Sequence, residues 1–156
     1  MSKVAVSDVR SVLIPLADRQ LLLPNAVVAE IMGFQLPEVV EGQPAWFLGN
    51  MLWRGVLIPV ISFEAMLGDT VVTPGHRGRI AIINGMNAYP RLYHYGMVVQ
   101  AIPSLVRVST DNVQGLPLQG EADPLIRQAV ELDLSPAFIP DLDEIERQLQ
   151  AVVSKL

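Results

Sequence analysis

The sequence predicts a mainly β fold, arranged as two small barrels with a C-terminal helix. Three observations lead there. Apolar residues come in short, β-branched runs separated by polar turns, the pattern of strands rather than long helices. Twelve prolines and eleven glycines punctuate 156 residues, so the elements are short and the turns tight. The strand-like segments fall into two groups split near Asp69 to Gly78, and small β units that close on themselves protect their edges.

Taken in order, Val12 to Leu16 and Leu21 to Leu23 read as two strands around the polar turn Ala17-Asp18-Arg19-Gln20. Pro15 cannot donate to a ladder, which places the first of them at an edge or a bulge. Val27 to Phe34 is a third β-branched stretch, ended by loop residues Pro37 to Pro44. Val56 to Ile61 is apolar throughout and reads as a strand buried on both faces. Ser62 is a good N-cap and Gly68 a good C′ residue for a short helix over Phe63 to Leu67. In the second half, Arg79 to Ile83 and Leu92 to Val99 are strand-like, joined by a loop from Asn84-Gly85 to Pro90. Val106 to Ser109 is one more strand. Asp123-Pro124 has the cap-then-proline order of a short helix. Asp141 with Glu144 resembles a capping box. From there Leu142, Ile145, Leu149, Val152 and Leu156 form one apolar stripe on a C-terminal helix. The simplest use of that stripe is packing onto its own barrel; self-association through it is the alternative.

Composition narrows the function. The chain is 51% hydrophobic and 17% charged with a net charge of −5, which excludes disorder. Its acidity argues against nucleic acid, because only Lys3 and Lys155 are lysines and the nine arginines are scattered. There is no cysteine, so disulfides, thiolate metal sites and a cysteine nucleophile are excluded. The first eight residues lack the apolar core of a signal peptide, and no run of about 18 uncharged apolar residues exists to span a membrane. These features lead us to expect a cytoplasmic protein.

No catalytic constellation stands out. His76 lies in a glycine-flanked loop stretch and His94 between two tyrosines, and neither has a metal-ligand spacing or a carboxylate cluster beside it. No phosphate loop, nucleophile elbow or zincin motif occurs. Asp141, Asp143, Glu144 and Glu146 read as helix capping. We therefore expect no catalytic residues, no metal and no cofactor. What does stand out is residues 44 to 68, which hold both tryptophans, Trp46 and Trp53, and place Arg54 between Trp53 and Gly55 at a turn into an apolar strand. Aromatic residues and arginine are the enriched anchors of protein interfaces. The plainer reading is a core Trp46, a half-buried Trp53 and an Arg54 paired with a neighbouring acid.

The stretch Gly49-Asn50-Met51-Leu52-Trp53-Arg54-Gly55-Val56-Leu57-Ile58-Pro59-Val60-Ile61-Ser62-Phe63 resembles the core motif of CheW-like chemotaxis coupling proteins. Upstream, Leu23-Pro24-Asn25-Ala26-Val27-Val28-Ala29-Glu30-Ile31 is similar to the family's segment ending Val-x-Glu-Ile. Tyr95 to Ile102 and Phe138 to Asp143 resemble two later segments. The resemblance implies two five-stranded SH3-like barrels around a shared core: a first barrel over 10–70, a second over 78–140 and a helix over 141–156, all within one domain spanning 1–156, with a chain able to cross between barrels. It implies a non-catalytic adaptor in bacterial signal transduction. Its partners would be the regulatory domain of a CheA-type histidine kinase and the cytoplasmic tip of a methyl-accepting chemoreceptor, in arrays at the membrane. By position, Val28, Glu30, Gly49 and Arg54 match family contact positions. Trp53 and Gly55 flank the arginine, and Val98 and Val99 are candidate liners of a receptor groove. Pro59 matches the family's strand proline. Leu52-Trp53, Ser62 and Gln100 depart from the family pattern, and the segment from Glu121 to Asp133 lacks its glycine-centred strand. These departures lead us to expect the branch serving pilus-driven twitching motility. The alternative is a small-ligand-binding or self-associating β-barrel module without kinase coupling.

Overall fold

A computed structural model describes residues 8–118 and 123–156. The residues of the 121–133 stretch that precede Asp123, and the N-terminal residues before Asp8, lie outside the described residues. Two sheets make up the fold. The six-stranded sheet runs, in spatial order, β8 (Ser104–Val108), β1 (Val9–Pro15), β2 (Gln20–Pro24), β11 (Ser135–Pro140), β10 (Ile126–Leu132) and β9 (Val113–Leu116). The five-stranded sheet runs β3 (Val28–Gly33), β6 (Arg79–Asn84), β7 (His94–Val99), β5 (Val56–Ile61) and β4 (Phe47–Trp53). A 3₁₀ turn covers Asn25–Val27, a short helix α1 covers Phe63–Met66, and α2 covers Leu142–Val153. The chain crosses between units: β1 pairs antiparallel with β8, and β2 meets β11 through a parallel contact of Leu21 with Phe138.

Three apolar clusters explain this arrangement. One lies inside the five-stranded unit (Met51, Trp53, Ile58, Val60, Ile80, Ile82, Val98). Another lies inside the six-stranded unit (Leu22, Val130, Leu132, Ala137). The largest lies between them, built from Val12, Ile14, Leu21 and Leu23 of one sheet and Ile61, Ala81, Ile83, Tyr95, Met97 and Val99 of the other. Strand β6 alternates Ile80 and Ile82 into the barrel core with Ala81 and Ile83 into the shared core. That doubly buried strand explains its unbroken apolar run. Ile145, Leu149 and Val153 of α2 close the shared core. The helical stripe from Leu142 to Val152 thus packs onto its own fold, while Leu156 stays exposed.

Local chemistry sets the ends of the elements. Ser62 Oγ accepts from the Ala65 amide at 3.2 Å, and Gly68 takes φ +97° just after α1. Asp141 Oδ1 accepts from the Glu144 amide at 3.1 Å and starts α2. The reciprocal half of a capping box is missing, because Glu144 turns outward to Arg147 and Gln148. Those bonds, Arg147's first, hold its carboxyl at about 2.

Several expectations are corrected. Strand β1 is interior, between β8 and β2; Pro15 is tolerated because the β8 pairing stops at Leu13. Val56 and Leu57 are exposed, so only the last four residues of β5 are buried. Pro59 sits just before the two residues through which β5 pairs with β7, on a stretch bonded to β4 alone. Asp123-Pro124 opens a single turn, closed by the Ile126 amide on the Asp123 carbonyl at 3.0 Å, and the chain then enters β10. Pairing to β9 and β11 on both sides outweighs the helix-start signal there.

One buried acid gives a pH signature. Glu64 on α1 is 3% exposed, and its Oε2 accepts from the Ala17 amide at 2.8 Å. Burial pushes its carboxyl above the usual value near 4.5, opposed first by the Ala17 bond; Asp69 and Asp18 add to the rise and Arg19 opposes it. A carboxyl raised in the folded state binds its proton more tightly there than in the unfolded chain. Its contribution is therefore fully present below the unfolded value and is lost as pH rises through the folded one. Glu64→Gln is expected to flatten the fall in stability as pH rises above 4.5. Urea unfolding of both proteins at several pH values checks this, and parallel pH curves would refute it.

Candidate functional site

Strands β4 and β5 pair Trp53 with Val56, leaving a two-residue turn of Arg54 and Gly55. Both take positive φ, +49° and +77°. Those are the angles a type I′ hairpin turn demands, and they match the twist of the flanking strands. Glycine meets the demand freely. Arginine does so at a cost, and such outliers cluster where a site needs a fixed geometry.

Two further contacts hold the arginine. Its guanidinium lies 4.7 Å from the Trp53 ring centroid. Its Nη2 donates to Glu30 Oε1 at 3.0 Å, and the same oxygen accepts from Trp53 Nε1 at 3.2 Å. Glu30 is on β3 and Trp53 on β4, the two outer strands of the five-stranded sheet. One carboxylate oxygen therefore draws the two edges together and curls the sheet toward closure. An exposed ion pair of this kind contributes about 0–1 kcal/mol, so its value is orientation. The guanidinium side chain stays 67% exposed. Trp53 itself is buried, with its ring 4.6 Å from that of His94.

The hairpin that carries this fork also exposes apolar residues. Leu52 and Leu57 face each other across the hairpin and are 65% and 61% exposed, with Val56 beside them. Sequence patterning missed them, because an apolar run into a strand signals burial. The plainer expectation, an Arg54 paired with an acid, is met by Glu30, which also accepts from Trp53; these contacts join residues 24 and 23 positions apart. Of the two tryptophans, Trp46 is half-buried against the shared core.

The remaining expected residues lie elsewhere. Val28 is half-buried at the start of β3, against the shared core. Gly49 lies within β4, not at a turn, at φ +138°; what approaches it is the chain's own Glu38-Val39 segment. Val99 is wholly buried in the shared core and offers no surface to a groove. Val98 is 3% exposed, the floor of an apolar depression with Phe34, Leu36 and Leu48. Both are enclosed because β7 is covered on each face. His76 is in an exposed loop. A cleft of about 380 Å³, lined mostly by the six-stranded unit, holds Arg19, Asp123 and Phe138 among its walls, with Arg19 over the Phe138 ring. Among the described residues, no group of three or more His, Asp or Glu side chains is placed to hold a metal ion, and no helix is long and apolar enough to cross a membrane. What this arrangement can do is grip: a fixed cation on a hairpin that also exposes apolar side chains.

The family model described as a CheW-like domain matches residues 10–150. Chemotaxis protein CheW from Rhizobium meliloti (strain 1021) is 27% identical over 100 residues, 64% of this chain and 61% of that protein. The matched region thus spans about three-fifths of that relative's length. The crystal structure of scaffolding protein TtCheW from Thermoanaerobacter tengcongensis superposes with a TM-score of 0.72 at 18% identity, covering 86% of this chain and 90% of that one. That likeness is one of fold.

Proposed function

The chain belongs to the CheW-like domain family, and on that premise we propose that it is a non-catalytic coupling adaptor of bacterial chemosensory signalling. It joins the cytoplasmic tips of methyl-accepting chemoreceptors to the regulatory domain of a CheA-type histidine kinase, in the cytoplasm at membrane-bound arrays. The observation that carries this reading is the Arg54 fork: strained, held by Trp53 and Glu30, yet 67% exposed at the tip of a hairpin that also exposes Leu52 and Leu57. Arginine is enriched among the residues that carry binding energy at interfaces. Signal passes as unequal binding to two kinase states, since a scaffold shifts an equilibrium only by its differential affinity. Contacts that are weak singly gain strength in an array through multivalency. The pathway we assign is pilus-driven twitching motility, and its support is the departures at Trp53, Ser62 and Gln100; loss of twitching on deletion of the gene, with swimming retained, is the expected result.

Arg54→Ala tests the docking claim. It removes an exposed contact, so the unfolding midpoint is expected to move little. Affinity for the kinase regulatory domain should fall about 30-fold or more, the loss expected of an interface hot spot. Unchanged affinity for kinase and receptor alike would overturn the assignment.

A further inference from the structure

The six-stranded sheet, which does not carry Arg54, has its own outlier. Strands β10 and β11 pair Leu132 with Ser135, leaving the two-residue turn Asp133-Leu134. Its φ values are +48° and +68°. The second position is where the β4–β5 hairpin has Gly55; here it is a leucine, 87% exposed. A leucine in the left-handed region is strained, and one that packs against nothing is not repaid within its own fold. The tip therefore offers an apolar knob beside one negative charge.

The opposite end of the same sheet offers the complement. Arg10 on β1 and Arg107 on β8 stand directly opposite one another. Like charges in that relation destabilise a strand pair. Relief from the described residues is slight: Asp8 lies 3.8 Å from Arg107, with both side chains exposed. No described carboxylate lies within 4.0 Å of Arg10. Beside the pair, Leu105 is 79% exposed. These residues, with Ser11, Asn25 and Val106, line a cleft of about 310 Å³. Strand register fixes the two ends. β11 runs parallel to β2, so the 133–134 turn lies at the end of the sheet where β2 begins. Arg10, Asn25 and Arg107 lie where β1 begins and β2 and β8 end.

We propose that a second copy of this chain docks head to tail, seating its Asp133-Leu134 tip in the Arg10–Arg107 cleft. The carboxylate neutralises the arginine pair and Leu134 covers Leu105. Knob and socket are different patches, so the contact is heterologous, and a joined pair keeps one free knob and one free socket to continue the row. A contact this small is weak alone.

Two variants of the full chain test it by sedimentation. Arg10→Glu with Arg107→Glu destroys the socket and keeps the tip. Asp133→Asn with Leu134→Gly destroys the tip and installs the Asn-Gly pair that a type I′ turn prefers, so its melting temperature should rise, separating lost contact from lost fold. The wild-type chain is expected to show a mass that grows with concentration beyond a dimer and shrinks with added salt. Each variant alone should stay monomeric, with association weakened about tenfold or more by loss of the charge contact. Mixed one to one, the variants should form a complex that stops at two chains. A wild-type chain that stays monomeric across the same range overturns the proposal, as do variants that associate like wild type or a mixture that does not pair.

Discussion

Replacing Gly49 with alanine is expected to destabilise the protein by about 3–5 kcal/mol, a large part of the stability of an ordinary domain. Two causes act together. The backbone at φ +138° is a conformation that side-chain-bearing residues rarely adopt, which alone costs about 1–3 kcal/mol. A β-carbon there would also sit 2.1 Å from the Glu38 carbonyl oxygen and 2.6 Å from its carbon. These are backbone atoms, so no rotamer change relieves the clash. The Glu38 segment must move, breaking its two bonds to Asn50, N–H to carbonyl at 2.7 Å and 2.9 Å. Each such bond contributes about 1 kcal/mol net. The bulge at Phe47–Gly49, which sets the register of the Arg54 hairpin, goes with them. Urea unfolding measures the loss. A shift below about 1 kcal/mol would mean that the strand relaxes in a way this packing forbids. Partner affinity should fall as well, but through the fold, so amide exchange in β4 rises in Gly49→Ala and stays unchanged in Arg54→Ala.

The same strand shows what the sequence makes legible. Phe47 to Trp53 has Gly49-Asn50 at its centre and is assigned no strand from the sequence; its strand character comes from a bulge and a bridge to Glu38, neither of which leaves a periodic trace. The late strands hide for a related reason. Val113–Leu116 is too short for a pattern, and Ile126–Leu132 carries charge behind a helix-start dipeptide. Helix α2 was readable because its cap, Asp141, and its stripe are local in sequence. The Arg54-Gly55 turn was readable too, since two residues between apolar runs define a hairpin. Which acid grips it was not, because Glu30 reaches it only when the sheet curls. Val98 and Val99 illustrate the reverse error: the unbroken run Met97–Val99 is the mark of a strand covered on both faces, and resemblance to a groove-lining position does not expose it.

Glu146 makes the second large prediction. It is fully buried on α2, yet among the described residues no basic side chain pairs with it. Its Oε1 accepts from the amides of Met86 and Asn87, at 2.9 and 3.1 Å, and from Asn87 Nδ2 at 3.1 Å. Its Oε2 accepts from Met86 again at 3.0 Å. One carboxylate thus pins the loop between β6 and β7 to the helix, across 59 and 60 residues of chain. That loop needs pinning, since Ala88 and Arg91 take positive φ, +55° and +64°. Glu146→Ala would leave the Met86 and Asn87 amides without this acceptor, while Asn87 Nδ2 keeps Asp143 Oδ1 at 3.0 Å. A part-buried donor stranded in this way costs about 1–3 kcal/mol, and the two share one site and do not add. A loss of about 2–3 kcal/mol follows, or roughly 5–10 °C in melting temperature for a chain of this size. Glu146→Gln keeps one acceptor oxygen and should lose about half as much. The neighbouring Tyr95 hydroxyl is a useful contrast. It is buried without a partner, and burial first, then the charge of Glu146, raises its pKa. Tyr95→Phe removes a group that makes no bond and is expected to leave stability unchanged or raise it. Amide exchange at Met86 and Asn87 reads the mechanism directly: it should quicken in Glu146→Ala and not in Tyr95→Phe. Slow exchange at both amides in Glu146→Ala would show that the loop is held by something other than this carboxylate.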